Sequence, residues 1–369
     1  MVSPSFRCWP RNWPSRWLRG ALLGSLTLLG SSALRGEESP PPLPPSLVVL
    51  QYHFVATETP ASTSVTPAQF AAHLEAIEAS GATVLPLAEA LAALQAGRTL
   101  PETALAITFD DGYESIAEAA HPLLRARGWP YTIFVNPEPI DRRHGGFLSW
   151  NQHRQLATEG ATIGNHGLRH DYMVRGESQG LPAPASPAYE AYLEGQVLDA
   201  QARIDAELGA QPKLFAYPFG EFAPELKAWL RAWGYAAFGQ HSGPLWIGSD
   251  PQALPRFPAS GIYGALDSLR PKFTMKALAA TIESPSSMIL PPETDQPTLR
   301  FTLRFPEAHQ GPVQCYVSGQ GAVPTARTGA RVKTMARTPL PLGRSRFNCT
   351  AQGPKGRWHW LSQPLLRLP

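Results

Sequence analysis

The run Ala104-Leu105-Ala106-Ile107-Thr108-Phe109 ends in Asp110-Asp111-Gly112, and this junction decides how the rest of the chain reads. An apolar run of strand length, closed by a Gly that permits a sharp turn, is a buried strand, and the helical pattern of residues 115–127 follows it. The same grammar precedes it. Leu47 to His53 is a strand, and Thr66-Pro67 then opens a helix that places Phe70, Leu74 and Ile77 on one face. Residues 82–86 lead into the helical stretch 87–94. Downstream, Tyr131–Val135 precedes a helix over 150–159, Ala161–Ile163 precedes one over 188–208, Leu214–Tyr217 precedes one over 224–233, and Tyr235–Phe238 follows. Seven or eight strand–helix units predict an α/β fold with a parallel barrel or wound sheet, and in such folds chemistry sits at the carboxyl ends of the strands. After Ser284 the helices stop. Short alternating segments such as Thr298–Phe305, Val313–Val317 and Arg346–Thr350, set between Gly and Pro turns, predict a small all-β sandwich. The expected domains are therefore residues 47–284 and 285–369.

The first residues stand outside this plan. Arg7, Arg11, Arg16 and Arg19 precede the apolar run Ala21–Gly30 and the small residues Ser31-Ser32-Ala33, which is the layout of a signal peptide over residues 1–33. Residues 34–46, with Pro40 to Pro45, read as a Pro-rich linker. Removing the four leader arginines lowers the formal charge from +3 to about −1. Nothing in that balance offers the concentrated basic surface a nucleic-acid partner needs, and a membrane is expected to be met only through the leader. Beyond Cys8 the cysteines are Cys315 and Cys349. An even count in an exported chain reads as one disulfide, with two buried thiols as the alternative. Leader and disulfide place the protein in the periplasm or at the cell surface, or in the medium if it is secreted beyond.

Two elements carry chemistry. Asp110 and Asp111 are adjacent carboxylates, which can take different roles only if a cation separates them, and a metal is the simplest such cation. Ile163 to His170 carries His166 and His170 four residues apart after another strand, where one helical turn would place both imidazoles on one side. Two histidines and a carboxylate are a donor set suited to zinc that leaves positions for water and substrate.

Together these elements resemble the polysaccharide deacetylases, the carbohydrate esterase family that includes chitin, peptidoglycan and poly-N-acetylglucosamine deacetylases. The first motif of that family, Thr-Phe-Asp-Asp-Gly, stands intact at Thr108–Gly112. The His-Ser/Thr-x-x-His motif corresponds to His166–His170, with Gly167 where a hydroxyl residue is usual, and the third motif looks like Phe215–Gly220. The resemblance covers residues 46–280. It implies a distorted parallel (β/α) barrel, a divalent metal that is usually zinc, Asp111, His166 and His170 as its ligands, and Asp110 as catalytic base.

In that reading, metal-bound water attacks an acetyl carbonyl while Asp110 takes a proton. The metal and a backbone N–H of the turn Tyr217, Pro218, Phe219, Gly220 stabilise the oxyanion. The chain departs from the family at two places. Ala216 occupies the position of the Arg that orients the base, so Arg256, in Leu254–Phe257, is the substitute candidate. The late motif that carries the acid His is not evident, so His241 is the first candidate for the general acid and His53 the second. The expected substrate is an N-acetylated amino-sugar polysaccharide. The alternatives are an O-acetyl esterase or small-amide hydrolase of the same fold, or a non-catalytic glycan-binding protein. Trp246, Tyr113 and Trp150 stand near loops and carry no assignment. Trp358 and Trp360 are either a glycan platform or sandwich core, and the C-terminal part is a candidate docking surface for substrate or a cell-envelope partner.

Overall fold

Seven parallel strands follow one another around a curved sheet: β1 (Leu47–Tyr52), β2 (Ala104–Asp111), β3 (Tyr131–Val135), β4 (Ala161–Asn165), β5 (Leu214–Ala216), β6 (Ala236–Phe238) and β7 (Phe257–Pro258). Their spatial order is β7-β1-β2-β3-β4-β5-β6, with Thr83–Val84 as an eighth strand beside β2. This computed structural model describes residues 43–175, 180–182 and 186–369. The leader and most of the Pro-rich stretch lie outside the described residues.

All eight residues of β2 are buried, as expected of a parallel strand covered on both faces. Its period of two sorts them. Leu105, Ile107 and Phe109 join the layer between sheet and helices, with Phe70, Leu74, Ile77 and Leu124, while Ala104 and Ala106 belong to the inner cluster with Leu47, Val49, Phe134 and Phe238. Continued to the strand end, the same period carries Thr108 and Asp110 to the inner face. The small Ala side chains suit a narrow interior.

The helices begin where their caps allow. Thr66 caps Pro67–Ala79 and Ser149 caps Trp150–Thr158, each in a reciprocal capping box with the Gln three residues on.

The barrel closes through an irregular segment. Leu254 exchanges backbone hydrogen bonds with Ala237 and Gly239 beside β6, and three residues later Phe257 pairs with Leu50 of β1. Arg256 sits inside this closure and is fully buried.

Two sheets follow, antiparallel throughout except where Lys276–Ala277 pairs in parallel with Trp358–Arg367. Lys276–Ala277, Trp358–Arg367, Gly343–Gln352, Gln314–Val317 and Gly321–Val323 form one, and Ala280–Ser284, Thr298–Leu303, Arg331–Met335 and Thr325–Thr328 form the other. Leu299, Phe301 and Val332 of the second meet Cys315, Phe347, Cys349 and Leu365 of the first in a shared core, so the sandwich has two faces turned inward. Cys315 and Cys349 are register partners on adjacent strands and form a disulfide. Whereas the sequence reading closed the first domain at residue 284, strand pairing with the sandwich already starts at Lys276. Barrel and sandwich lie in one compact unit. Trp360 packs edge-on to Phe257 of β7 at 5.6 Å, so this indole joins the two layers, and Trp358 is exposed.

Candidate active site

Asp110 and Asp111 are the last residues of β2, at its carboxyl end. Asp111 has a φ of +74° and Gly112 of +79°. This left-handed step, which a Gly takes freely and an Asp tolerates, ends the alternation of the strand and sends the chain out of the barrel.

Asp110 is fully buried. Arg256 donates to both its oxygens, at 2.6 and 2.9 Å. Gln51, near the end of β1, donates to the same carboxylate at 2.6 Å, and His53 Nε2 lies 3.9 Å away. Burial alone would push this carboxyl up. The charges of Arg256, His166 and His53 and the Arg256 hydrogen bonds outweigh it, and hold Asp110 well below the usual carboxylate range. Arg256 is itself fixed by donation to the Gly239 carbonyl at 3.1 Å and to Thr108 Oγ1 at 3.3 Å.

His166 and His170 do not share a helical turn. Both lie in the loop after β4, and left-handed residues at Gly167 (φ +79°) and His170 (φ +61°) bend that loop. The side chain of Asn136 donates to the carbonyls of His166 and Gly167 at 2.6 and 2.9 Å. The imidazoles nevertheless converge: the Nε2 atoms of His166 and His170 lie 3.4 and 3.5 Å from Asp111 Oδ1. The three ligand atoms lie within 4.8 Å of one another.

These residues fit a metal by an observation of their own. His166 Nδ1 is 2.7 Å from the Ala216 carbonyl, an acceptor, so Nδ1 carries the proton and Nε2 offers a lone pair. That buried Nε2 has no hydrogen-bond partner. Burial pulls His166 down, and the Asp111 and Asp110 carboxylates outweigh it and raise its pKa. His170 is pulled down to about 4 by burial and by the charge of His166.

The site opens into a cavity of about 730 Å³ lined by Gln51, His53, Asp111, Tyr113, His170 and Phe219, among others. His241 also lines it. Burial first, then the charge of Arg346, depresses His241 to about 3. Both acid candidates thus reach the cavity, and His53 is the one in contact range of Asp110.

The third-motif turn is more selective than the sequence implied. Tyr217 gives its N–H to Phe238 and its hydroxyl to Gln252, Gly220 gives its N–H to Tyr217, and Pro218 has none. Among the described residues Phe219 is left with the turn's unspent N–H. Its φ is +57°. Gly220 is needed there, because a Cβ would stand 2.7 Å from the Gln240 backbone nitrogen.

Trp150 is buried, with its indole N–H on Asp141. Trp246 lines a second cleft, of about 390 Å³, between barrel and sandwich.

Sequence reasoning missed Gln51, Asn136 and the Ala216 carbonyl. A buried polar residue near the end of β1 is the signal that marks Gln51; a backbone acceptor such as Ala216 leaves no signal in residue identity.

A parallel barrel that gathers a carboxylate–arginine pair and a His₂Asp cluster at its strand ends defines a hydrolase of the barrel class. Residues 97–238 match the family model described as polysaccharide deacetylase, so the chain carries a domain of that description. It is 27% identical over 243 residues to the Bacillus subtilis (strain 168) protein YxkH, covering 65% of this chain and 77% of that one. It is 25% identical over 201 residues to the poly-beta-1,6-N-acetyl-D-glucosamine N-deacetylase of Escherichia coli (strain K12), covering 46% of this chain and 30% of the relative. Among solved structures, IcaB from Ammonifex degensii superposes with a TM-score of 0.55 at 24% identity, over 62% of this chain and 97% of that one. The Streptococcus pyogenes deacetylase PplD in complex with acetate gives the same score at 18% identity, over 63% and 99%.

Proposed function

We propose that this chain removes N-acetyl groups from an amino-sugar polysaccharide, with Asp110 as general base and Asp111, His166 and His170 as ligands of a divalent metal, zinc by its donor set. The observation that carries the reading is the bidentate Arg256–Asp110 pair beside the His₂Asp cluster at the strand ends of one barrel. A divalent ion bound there supplies Lewis acidity, which polarises an acetyl carbonyl and makes water a better nucleophile at neutral pH.

The chain's own residues do the rest. Asp110, held ionised, is always in the form that accepts a proton, and Arg256 with Gln51 fixes which way its oxygens face. The Phe219 N–H is the donor available to a developing oxyanion, worth a few kcal/mol if well aimed. For protonation of the departing amine, the 3.9 Å approach to Asp110 favours His53 over His241. A non-catalytic glycan-binding protein is suggested by the missing orienting Arg and the missing acid-His motif; against the first ground, Arg256 grips Asp110 from another part of the chain. The disulfide supports an extracytoplasmic location. No helix of the described residues is long and apolar enough to cross a membrane.

The test is free acetate released by metal-supplemented protein from a panel of N- and O-acetylated oligosaccharides. Release from N-acetylated substrates by wild type, and its loss in Asp110→Asn, is the expected result. Equal release by both proteins, or release from O-acetylated substrates alone, overturns it.

A further inference from the structure

The sandwich supplies one wall of the catalytic cavity. Ser318, Arg344, Ser345 and Arg346 line the same space as Asp111 and His170. Arg344 and Arg346 are two residues apart on the strand Gly343–Gln352, the spacing that puts side chains on one face.

Arg344 already has a carboxylate neighbour: its Nη1 binds the Phe219 carbonyl and Gln240 Oε1, and its Nε lies 3.9 Å from Glu221. Glu221 already gives both its oxygens to Arg175. Arg346 is different. It donates to the Tyr263 hydroxyl at 2.7 Å and to the Gln240 carbonyl at 3.4 Å, and among the described residues no carboxylate stands within ion-pair distance of it. A guanidinium has five N–H donors, so Arg346 keeps several for a ligand.

Behind the wall, outside the cavity lining, the Lys272 ammonium lies 5.7 Å from the Tyr263 ring that Arg346 also faces; burial, then the charge of Arg346, brings Lys272 down to about 8. The hydroxyl of Ser260, another residue of the lining, has no protein partner. A partly buried guanidinium with spare donors, among further cations, favours an anion.

We propose that this wall reads a negatively charged group, a carboxylate or an acidic ester, on or next to the sugar whose acetyl group is removed, and that Arg346 contacts it. The proposal rests on the deacetylase reading and narrows it to acidic amino-sugar glycans. A neutral polymer that turns cationic as its acetyl groups leave gains nothing from such a wall.

Calorimetric titration of the zinc-supplemented full chain tests it, with two probes: a tetrasaccharide alternating glucuronic acid with N-acetylglucosamine, and the neutral N-acetylglucosamine tetramer. Wild type should bind the acidic probe at least about tenfold more tightly, one charge-assisted contact being worth that much. The preference should shrink as salt rises. Arg346→Gln should remove it and Arg346→Lys keep part of it. Because Arg346 also joins sandwich to barrel, melting temperatures of both variants are measured, and the Lys variant decides if the Gln variant is unfolded. Equal or tighter binding of the neutral probe, binding of neither, or an undiminished preference without Arg346 overturns the proposal. Acetate released from neither probe, with the preference intact, sinks the deacetylase reading and leaves the anion-binding wall standing.

Discussion

The guanidinium of Arg256 holds both oxygens of Asp110, at 2.6 and 2.9 Å, across 146 residues of sequence and with both side chains fully buried. The pair fixes the protonation state and the direction of the carboxylate at once, and the first prediction follows from it.

Arg256→Gln removes the charge that opposes burial, so the Asp110 carboxyl rises. The acid limb of the pH–rate profile should move to higher pH and kcat/KM for acetate release should fall by about 10²–10³. An uncompensated buried carboxylate should also lower stability by about 3–5 kcal/mol. Arg256→Lys should not restore the rate, because a single ammonium cannot grip both oxygens. A profile identical to wild type in Arg256→Gln would refute the assignment.

Elemental analysis should find one divalent ion per chain, and Asp111→Ala or His166→Ala should abolish it together with activity. Occupancy should fall on acidification: the carboxylates raise His166 in the metal-free protein, so protons compete for its Nε2 as the pH drops. Full occupancy in either variant would place the ion elsewhere.

Buried histidines should make the protein acid-sensitive. His153 is depressed to about 4, chiefly by burial. Around pH 5 it is neutral when folded and protonated when unfolded, so its contribution is complete above about 6.5 and is lost as the pH falls through 4. Denaturant unfolding at several pH values should show the slope of stability against pH reduced by about 1.4 kcal/mol per pH unit in His153→Gln, the share of one proton. An unchanged slope would mean that His153 titrates alike in both states.

The Cys315–Cys349 bridge closes a loop over a separation of 34 residues. Its loss in Cys349→Ser should cost about 3–4 kcal/mol, read as a lower denaturant midpoint. With one cavity wall coming from the sandwich, acetate release should be lost before the barrel's helical signal on warming that variant. Simultaneous loss of both would show that barrel and sandwich unfold as one.

Periodicity in the sequence carries a good deal of the fold. Alternating strand and helix patterns from Leu47 to Phe238 pointed to a parallel α/β fold, barrel or wound sheet, because β strands covered on both faces are continuously apolar; the barrel itself was implied only by the resemblance of the motifs. Asp110, Asp111, His166 and His170 stood out because their residue types suit one chemistry and each follows a strand. What residue identity could not convey is which way a backbone turns at a strand end. The left-handed φ values at Asp111, Gly167 and His170, not a helical turn, bring three candidate ligand atoms together. Nor could it reveal contacts between distant segments: Gln51, the Ala216 carbonyl and the arginines of the sandwich reach the site only because closure of the barrel and packing of the sandwich bring their strands beside it. Local pattern encodes which face of an element is buried; what that face meets is fixed by the packing of the whole chain.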